Sequence, residues 1–369
     1  MTALRLASIS THGVQGLPDL DLALQPVTAL IGPRGSGKSS LLRAASWLLS
    51  GTPSGVGESP TPTVRAELLG LDGGEPRTIE RGPTAFPADP LPPVLFLATR
   101  DRLPSATDAR HPYESDAASA EAMVAAIAER RLSGVEGEVL LIEEPELMLT
   151  VHQQRHFYNL LHRYAERNQV IYSSRSPAML DAANYQEIVR LDVHAGRMNV
   201  RRAARETLTD EQRVRLEAEF DHERTEMFFA SAVVLVEGQT EAIALPLIFR
   251  RLGHHPDALG ISVVEVGGKG NLPLVARLLA ELGIPHLVVF DSDRGHPGER
   301  ENRLIKRAIG KAPVFLLDPD FEGVAGIKDH DEKVLNAWRL FSEIAPKDVP
   351  PVLRRIVDKT IELANRAVL

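Results

Sequence analysis

Short runs of apolar, mostly β-branched residues recur along this chain, and most are followed by a stretch with helical spacing. VTALI (27–31), VLFLA (94–98), EVLLIEE (138–144), QVIYSS (169–174), VVLVEG (233–238), LVVFDSD (287–293) and the apolar run before DPDFEG (318–323) all have this form. A continuous apolar run of four to six residues predicts a strand covered on both faces, which is the habit of parallel sheets under helices. Residues 3–31 alternate in strand fashion before VTALI, and LLRAASWLL (41–49) reads as the helix after it. The segment 51–93 is rich in Pro, Gly, Ser and Thr and predicts an irregular β lobe. An alanine-rich helix is expected over 117–131 and another around HQQRHFYNLL (152–161). EIVRLDV and a hairpin to MNVRRA close the first half. Residues 204–229 alternate Arg and Glu closely, as a solvated helical face does, and read as a linker. In the second half a helix is expected over Thr240–Phe249. The tail from Asp329 predicts two amphipathic helices broken at Pro346, Pro350 and Pro351. The expected class is α/β: a domain over 1–203, a charged helical linker over 204–229, and a second parallel-sheet domain with a helical tail over 230–369.

At 369 residues there is room for two cores. No cysteine occurs, which removes disulfides, thiolate zinc sites and cysteine nucleophiles, and agrees with a reducing cytoplasm. No apolar run reaches membrane-spanning length, and MTALRLASIS lacks a signal-peptide core. The net charge of −8 does not advertise nucleic-acid binding, although clustered acids account for part of it and a local basic groove remains compatible.

Chemistry enters first at GPRGSGKSS, Gly32 to Ser40, set between strand and helix as GxxxxGK[ST] requires. Gly35 and Gly37 let backbone N–H groups converge on phosphate oxygens, with Gly32, Arg34, Ser36 and Ser40 completing the loop, and the helix N-terminus adds its positive end. Lys38 would reach the β and γ phosphates of ATP, and Ser39 would ligate Mg²⁺. Downstream, the apolar strand before Glu143 and Glu144 supplies two acids. The pair resembles the Walker B element of ABC-type ATPases, which implies Mg²⁺ held through water by the first and an attacking water oriented by the second. Arg100 and Arg102 after VLFLA read as surface arginines. His152, His156 and His162 do not share a helix face and also read as surface residues.

The second half ends three strands in acids: Glu237, with Glu241 a turn later; Asp291 and Asp293; and Asp318, Asp320 and Glu322. Asp291 and Asp293, two apart on a strand, point to one face and can meet one ion. Singly, such acids are common solvated turn residues. Three clusters at strand ends in a β/α pattern instead suggest a site for Mg²⁺ or Mn²⁺, since ligands gather at the carboxyl ends of such strands. EVGGKGNLP (265–273) adds glycines and Lys269, either a phosphate contact or a surface loop.

VEGQTE, EVGGKGNLP, FDSDRG and DFEG, in that order, resemble the Toprim domain as found in the OLD (overcoming lysogenisation defect) family. With the P-loop and the EEPELMLT element, the similarity covers nearly the whole chain. The resemblance implies an ABC-type P-loop ATPase domain fused to a Toprim domain, and an ATP-binding, metal-dependent DNA endonuclease. Two ions about 4 Å apart would act on a phosphodiester. Glu237 would bridge them or act as base; Asp291, Asp293, Asp320 and Glu322 would ligate, with Glu241 in support. A catalytic lysine is implied in the tail, with Lys347 the candidate and Lys328 behind it. DNA is the implied substrate. A homodimer or higher oligomer, a helicase-like partner protein and a role in phage defence or DNA processing belong to the same expectation. Two departures stand out. Arg175 occupies the place of the family's switch histidine, and the ABC signature is reduced to YESDAAS, with Ser115 or Ser119. Both predict binding of ATP with slow turnover. The competing reading is an ATP-driven DNA clamp or recombination mediator with a non-cleaving Toprim scaffold. A strand-transfer enzyme would need a tyrosine, and none of Tyr113, Tyr158, Tyr164, Tyr172 or Tyr185 has a telling context.

Overall fold

The computed structural model describes residues 4–51, 62–70, 75–87, 90–98, 112–147, 149–194, 197–220, 224–294, 299–328 and 331–368. The chain forms two compact units, Met1–Leu180 with Gln186–Arg202, and Asp181–Tyr185 with Ala203–Leu369. Arg100 and Arg102 lie outside the described residues. Among the described residues no helix is long and apolar enough to cross a membrane.

In the first unit, β1 (Leu4–His12), β2 (Leu20–Ala23), β4 (Thr63–Gly70) and β5 (Arg77–Arg81) make an antiparallel sheet in the order β2-β1-β4-β5. Thr63–Gly70 alternates cleanly, turning Val64, Ala66 and Leu68 into the core, so this part of the expected irregular lobe is regular. The surrounding Pro and Gly content had obscured its period. The second sheet runs β10 (Arg197–Arg202), β9 (Ile188–His194), β3 (Val27–Ile31), β8 (Gln169–Ser173), β7 (Val139–Glu143), β6 (Val94–Leu97), parallel except at the β9–β10 hairpin. All residues of β3, β7 and β8 are buried, as their uninterrupted apolar runs require.

Helix α1 (Lys38–Ser50) buries Leu41, Leu42, Ala45, Leu48 and Leu49 in a core shared with Leu6, Ile9 and Leu22 of the antiparallel sheet and Val139 and Leu141 of the parallel one. Each buried leucine contributes ~2 kcal/mol. Buried Gln169 ties the start of β8 to β1, accepting from the Leu6 N–H and donating to the Leu6 carbonyl, both at 2.8 Å. Helix α2 (Pro112–Leu132) covers the alanine-rich stretch and starts five residues before the expected 117. Helix α3 (Val151–Ala165) starts on a reciprocal cap between Thr150 and Gln153, the T-x-x-Q pattern of a capping box.

The second unit begins with α4 (Asp210–Glu219), also opened by a capping box, from Thr209 and Gln212. Residues 204–229, expected as a linker, lie within this unit, with Leu216, Thr225, Met227 and Phe228 buried. The charge alternation hid these apolar anchors. An all-parallel sheet follows in the order β12 (Ile261–Glu265), β11 (Ala232–Val236), β13 (His286–Asp291), β14 (Val314–Leu317). Its connections contain α5 (Gln239–Arg251), α6 (Leu272–Glu281) and α7 (Glu299–Ile309), and a short α8 (Phe321–Ala325) follows β14. The tail forms α9 (Lys333–Glu343) and α10 (Pro351–Val368), broken where the prolines predict. Helix α9 packs on α5, and α10 on α5 and β11. Phe341, Leu353, Ile356 and Val357 join the core with Val234, Leu245 and Phe249.

Candidate acidic centre and phosphate loop

Strands β11, β13 and β14 are neighbours running the same way, so their carboxyl ends stand side by side. Glu237 follows β11, Asp291 ends β13, and Asp320 caps α8 just beyond β14. Glu241 on the first turn of α5 and Glu322 on α8 are both buried. The Asp291 carboxylate accepts from the Phe321 N–H at 2.9 Å, and Asp320 from the Gly323 N–H at 2.6 Å. These acids feel one another. Burial first, and then the charges of Glu237, Glu322 and Asp320, push Asp291 up to about 7. Burial, then Asp291, Glu237 and Glu322, push Glu241 up to about 8. Burial also raises Glu237, as does Asp293, while Lys269 opposes them.

Two lysines partly offset this negative charge. Lys269, almost fully buried, ion-pairs with Asp293, donates to the Asp291 carbonyl at 2.9 Å and to Asn302 Oδ1 at 3.2 Å, and stands 3.9 Å from Glu237 Oε2. Asn302, also buried, donates to the Ser292 carbonyl at 2.6 Å and so fixes the turn after β13. Lys333, at the start of α9, pairs with Glu322 at 3.3 Å. With the acids held in this way, no three His, Cys, Asp or Glu side chains among the described residues stand together as a ready metal-ligand group. The donor set nonetheless fits a hard divalent cation. It is all carboxylate oxygen, burial and then mutual repulsion raise the affinity of Glu241 and Asp291 for their protons, and Glu237 Oε2 is buried without a hydrogen-bond partner.

In the first unit the phosphate loop joins β3 to α1. Gly32, Gly35 and Gly37 adopt φ of 137°, 79° and 85°. A Cβ on Gly32 would fall 1.9 Å from the Leu191 carbonyl oxygen, so only glycine fits there. Gly37 caps α1 with no side-chain acceptor, leaving the first N–H groups of the helix to a ligand or solvent. Lys38 is buried and donates to the carbonyls of Gly32 and Pro33, both at 2.8 Å, and to Ser36 Oγ at 3.3 Å. Burial, followed by the nearby Arg175 charge, brings it down to about 8. Ser36 is buried, Ser39 and Ser40 are half-buried, and Arg34 is exposed.

Glu143 ends β7, in register with Ser173 on β8, and stands 3.5 Å from Arg43. Arg175 pairs with Glu144 at 2.7 Å, and its N–H donates to Glu146 Oε1 at 2.7 Å. Glu144 and Asp293 are the two non-glycine residues at positive φ among the described residues, both at 48°. Such strain, ~1–3 kcal/mol each, persists where surroundings impose it and concentrates at functional sites. Each of the two clusters holds one.

The overcoming lysogenization defect protein-like TOPRIM domain model matches residues 228–293, which contain Glu237, Glu241, Lys269, Asp291 and Asp293. The chain is 31% identical over 246 residues to the OLD nuclease of Thermus scotoductus, covering 59% of this chain and 46% of that protein. Residues 228–293 are therefore similar to an OLD-like TOPRIM domain, and the chain is similar to an OLD nuclease over part of its length. It is also 27% identical over 239 residues to the uncharacterized protein YbjD of Escherichia coli, covering 62% of this chain and 41% of that one. It thus spans less than half the length of these relatives. Among solved structures, the SMC head domain from Thermotoga maritima aligns at a TM-score of 0.37 with 13% identity, over 54% of this chain and 99% of that domain.

The fold is α/β: a unit carrying the GxxxxGK[ST] loop is followed by a unit with a TOPRIM-like parallel sheet and a helical tail. The centre gathers Glu237, Asp320 and Glu322 near enough for their charges to act on Asp291 or Glu241, whereas Asp318 pairs with Arg294 at 2.9 Å, Lys347 is exposed on the turn between α9 and α10, and Lys328 is exposed after α8. Lys333 is the tail lysine paired with a centre acid, and the charged run DEK had concealed it. Lys269 is neither a free phosphate contact nor part of a surface loop but a buried ion-pair partner. Asn302 carried no motif signal at all. His152 and His156 are exposed, and His162 pairs with Glu187 at 3.2 Å.

Proposed function

We propose that this protein is an ATP-binding, metal-dependent DNA endonuclease whose catalytic centre is the acid cluster of its Toprim unit. The observation that carries the reading is the convergence of Glu237, Glu241, Asp291 and Glu322 at three adjacent strand ends, with more negative charge than their own partners neutralise. Glu237, Glu241, Asp291, Asp293, Asp320 and Glu322 would hold Mg²⁺ or Mn²⁺, which when bound supplies neutralisation of the phosphodiester and activation of water. Glu237, whose Oε2 makes no hydrogen bond and lies 3.9 Å from the Lys269 ammonium, would accept the proton of the attacking water. Lys269 and Asn302 hold Asp293 and the turn after β13 in place. Lys333 stands as the cation beside Glu322 that can face a phosphate oxygen.

The P-loop unit, read as ABC-type, binds ATP. Gly32, Arg34, Gly35, Ser36, Gly37 and Ser40 form the cradle. Lys38 meets the β and γ phosphates, Ser39 and Glu143 stand for Mg²⁺, and Glu144 stands for the water. ATP would pair two such units and gate access to DNA. The resulting homodimer, or larger assembly with a helicase-like partner, belongs to DNA processing or phage defence in the cytoplasm.

Supercoiled plasmid with Mg²⁺ or Mn²⁺, then with chelator, tests this. Cleavage is expected with metal, and loss of it in Glu237→Ala and Asp291→Ala with ATP binding kept. Full cleavage by both variants would remove the acid-centre assignment. DNA binding without cleavage under any metal would leave an ATP-driven clamp.

A further inference from the structure

Beside the acidic centre the second unit has an open groove of about 680 Å³ between the first turn of α5 and the first turns of α9. Thr240, which precedes Glu241, lies on one wall; Lys333, which pairs with Glu322, lies on the other. Each wall thus carries a residue next to a centre acid, by sequence at Thr240 and by ion pair at Lys333. Its far wall is apolar. Leu335 and Trp338, three apart on α9, share a face and are 38% and 51% exposed. Helix α9 is already anchored to α5 by Ala337 and Phe341, both fully buried, so Trp338 is not needed to seal the core. An indole left half in solvent beside a cluster of acids and a lysine calls for a planar partner.

We propose that this groove is a nucleobase-stacking subsite, in which Trp338 takes an unpaired base of DNA whose phosphate lies toward Lys333 and the acidic centre. The proposal rests on the nuclease reading and deepens it, because it names single-stranded or locally opened DNA as the form engaged next to the scissile phosphate. The chemistry matches a nucleotide in both halves. Lys333 offers a cation for the phosphate, and Trp338 and Leu335 offer an aromatic face and an apolar edge for the base. Asp331 and Glu332 on the same rim repel a second phosphate, so the groove takes a base and not a run of backbone. Stacking ignores base identity, since each base has a π face, so the subsite selects strand opening over sequence.

The chain contains two tryptophans, Trp47 and Trp338, so Trp47→Phe makes Trp338 the sole indole reporter in the full chain. In a Glu237→Ala background with Mg²⁺, where no cutting is expected, a single-stranded oligothymidylate should quench Trp338 emission saturably, and a blunt duplex should quench it far less. Trp338→Ala should weaken oligothymidylate binding, read by anisotropy of a labelled strand, by roughly five- to a hundred-fold. Trp338→Phe should recover most of that loss, which a merely structural role would not predict, and melting curves of both variants report folding. Unchanged affinity in Trp338→Ala, or anisotropic binding without quenching, overturns the subsite while leaving metal-dependent plasmid cleavage, and so the nuclease reading, intact. Loss of self-association in Trp338→Ala with DNA affinity unchanged would assign the face to a second copy of this chain. Absence of both DNA binding and cleavage in the wild type overturns both readings.

Discussion

The buried carboxylates make the stability of the second unit depend on pH in a direction opposite to that of ordinary ion-paired acids. Glu241 is 5% exposed, and its pKa rises from an ordinary 4.5 to about 8, chiefly through burial and then through the charges around it. An acid whose folded pKa lies above its unfolded value contributes stability below the unfolded pKa, and loses it as pH rises through the folded one. At about 1.4 kcal/mol per pH unit, the difference between 4.5 and 8 corresponds to on the order of 5 kcal/mol lost between ~pH 5 and ~pH 8. Asp291, raised from 3.8 to about 7, adds to the same trend. The two repel one another, so they titrate as a pair and their contributions do not sum.

Urea denaturation of the full chain in chelator, from pH 5 to pH 8, reads this directly. Stability should fall across that window for the wild type. In Glu241→Gln, which keeps the shape without the charge, the profile should flatten and the stability at pH 8 should rise. Mg²⁺ or Mn²⁺ should restore stability in the wild type more at pH 8 than at pH 5, since a divalent cation offsets only ionised carboxylates. A profile that is flat or climbs with pH in chelator, or a Glu241→Gln variant with the wild-type slope, would refute the reasoning.

At the phosphate loop, Lys38→Ala should abolish binding of labelled ATP; Arg175→His should raise steady-state phosphate release about tenfold by freeing Glu144 from its 2.7 Å ion pair, whereas rapid wild-type turnover would contradict that role for Arg175. In the tail, Lys333→Ala should lower plasmid cleavage by about a hundred-fold or more while Lys347→Ala leaves it near wild type, and the reverse order would return the role to Lys347.

The strand ends were legible because a buried parallel strand is written as a continuous apolar run, and an acid or glycine after it marks where the backbone leaves the sheet. Val233 to Glu237 and Leu287 to Asp291 are therefore legible in the sequence as buried strands that end in acids. The P-loop was legible for a related reason: three glycines at fixed spacing are demanded by positive φ, and at Gly32 by a carbonyl that leaves no room for a Cβ. The segment 204–229 reads as a linker because its anchors are spread out: Leu208, Leu216, Phe220, Met227 and Phe228 are scattered through a run of Arg and Glu, and their burial leaves no periodic trace.

The lysines show where such reading stops. Lys269 sits among glycines, the composition of a mobile loop, yet it is nearly fully buried because Asp293, Asn302 and the Asp291 carbonyl converge on its ammonium from elements 22 to 33 residues away. Lys333 differs from Lys328 and Lys347 only in standing on the helix that packs against α5, which carries it to Glu322. Sequence gives the identity of a charge but not which opposite charge the fold delivers to it, and buried charges are tolerated only when so paired. The acids could be grouped because they share strand ends; the cations could not, because each is placed by a long-range contact. The electrostatic state of the centre is set by that second set, Lys269 beside Asp293 and Lys333 beside Glu322. A divalent ion entering the centre must therefore compete with two resident ammonium groups, and substitutions at these lysines should alter metal affinity as well as rate.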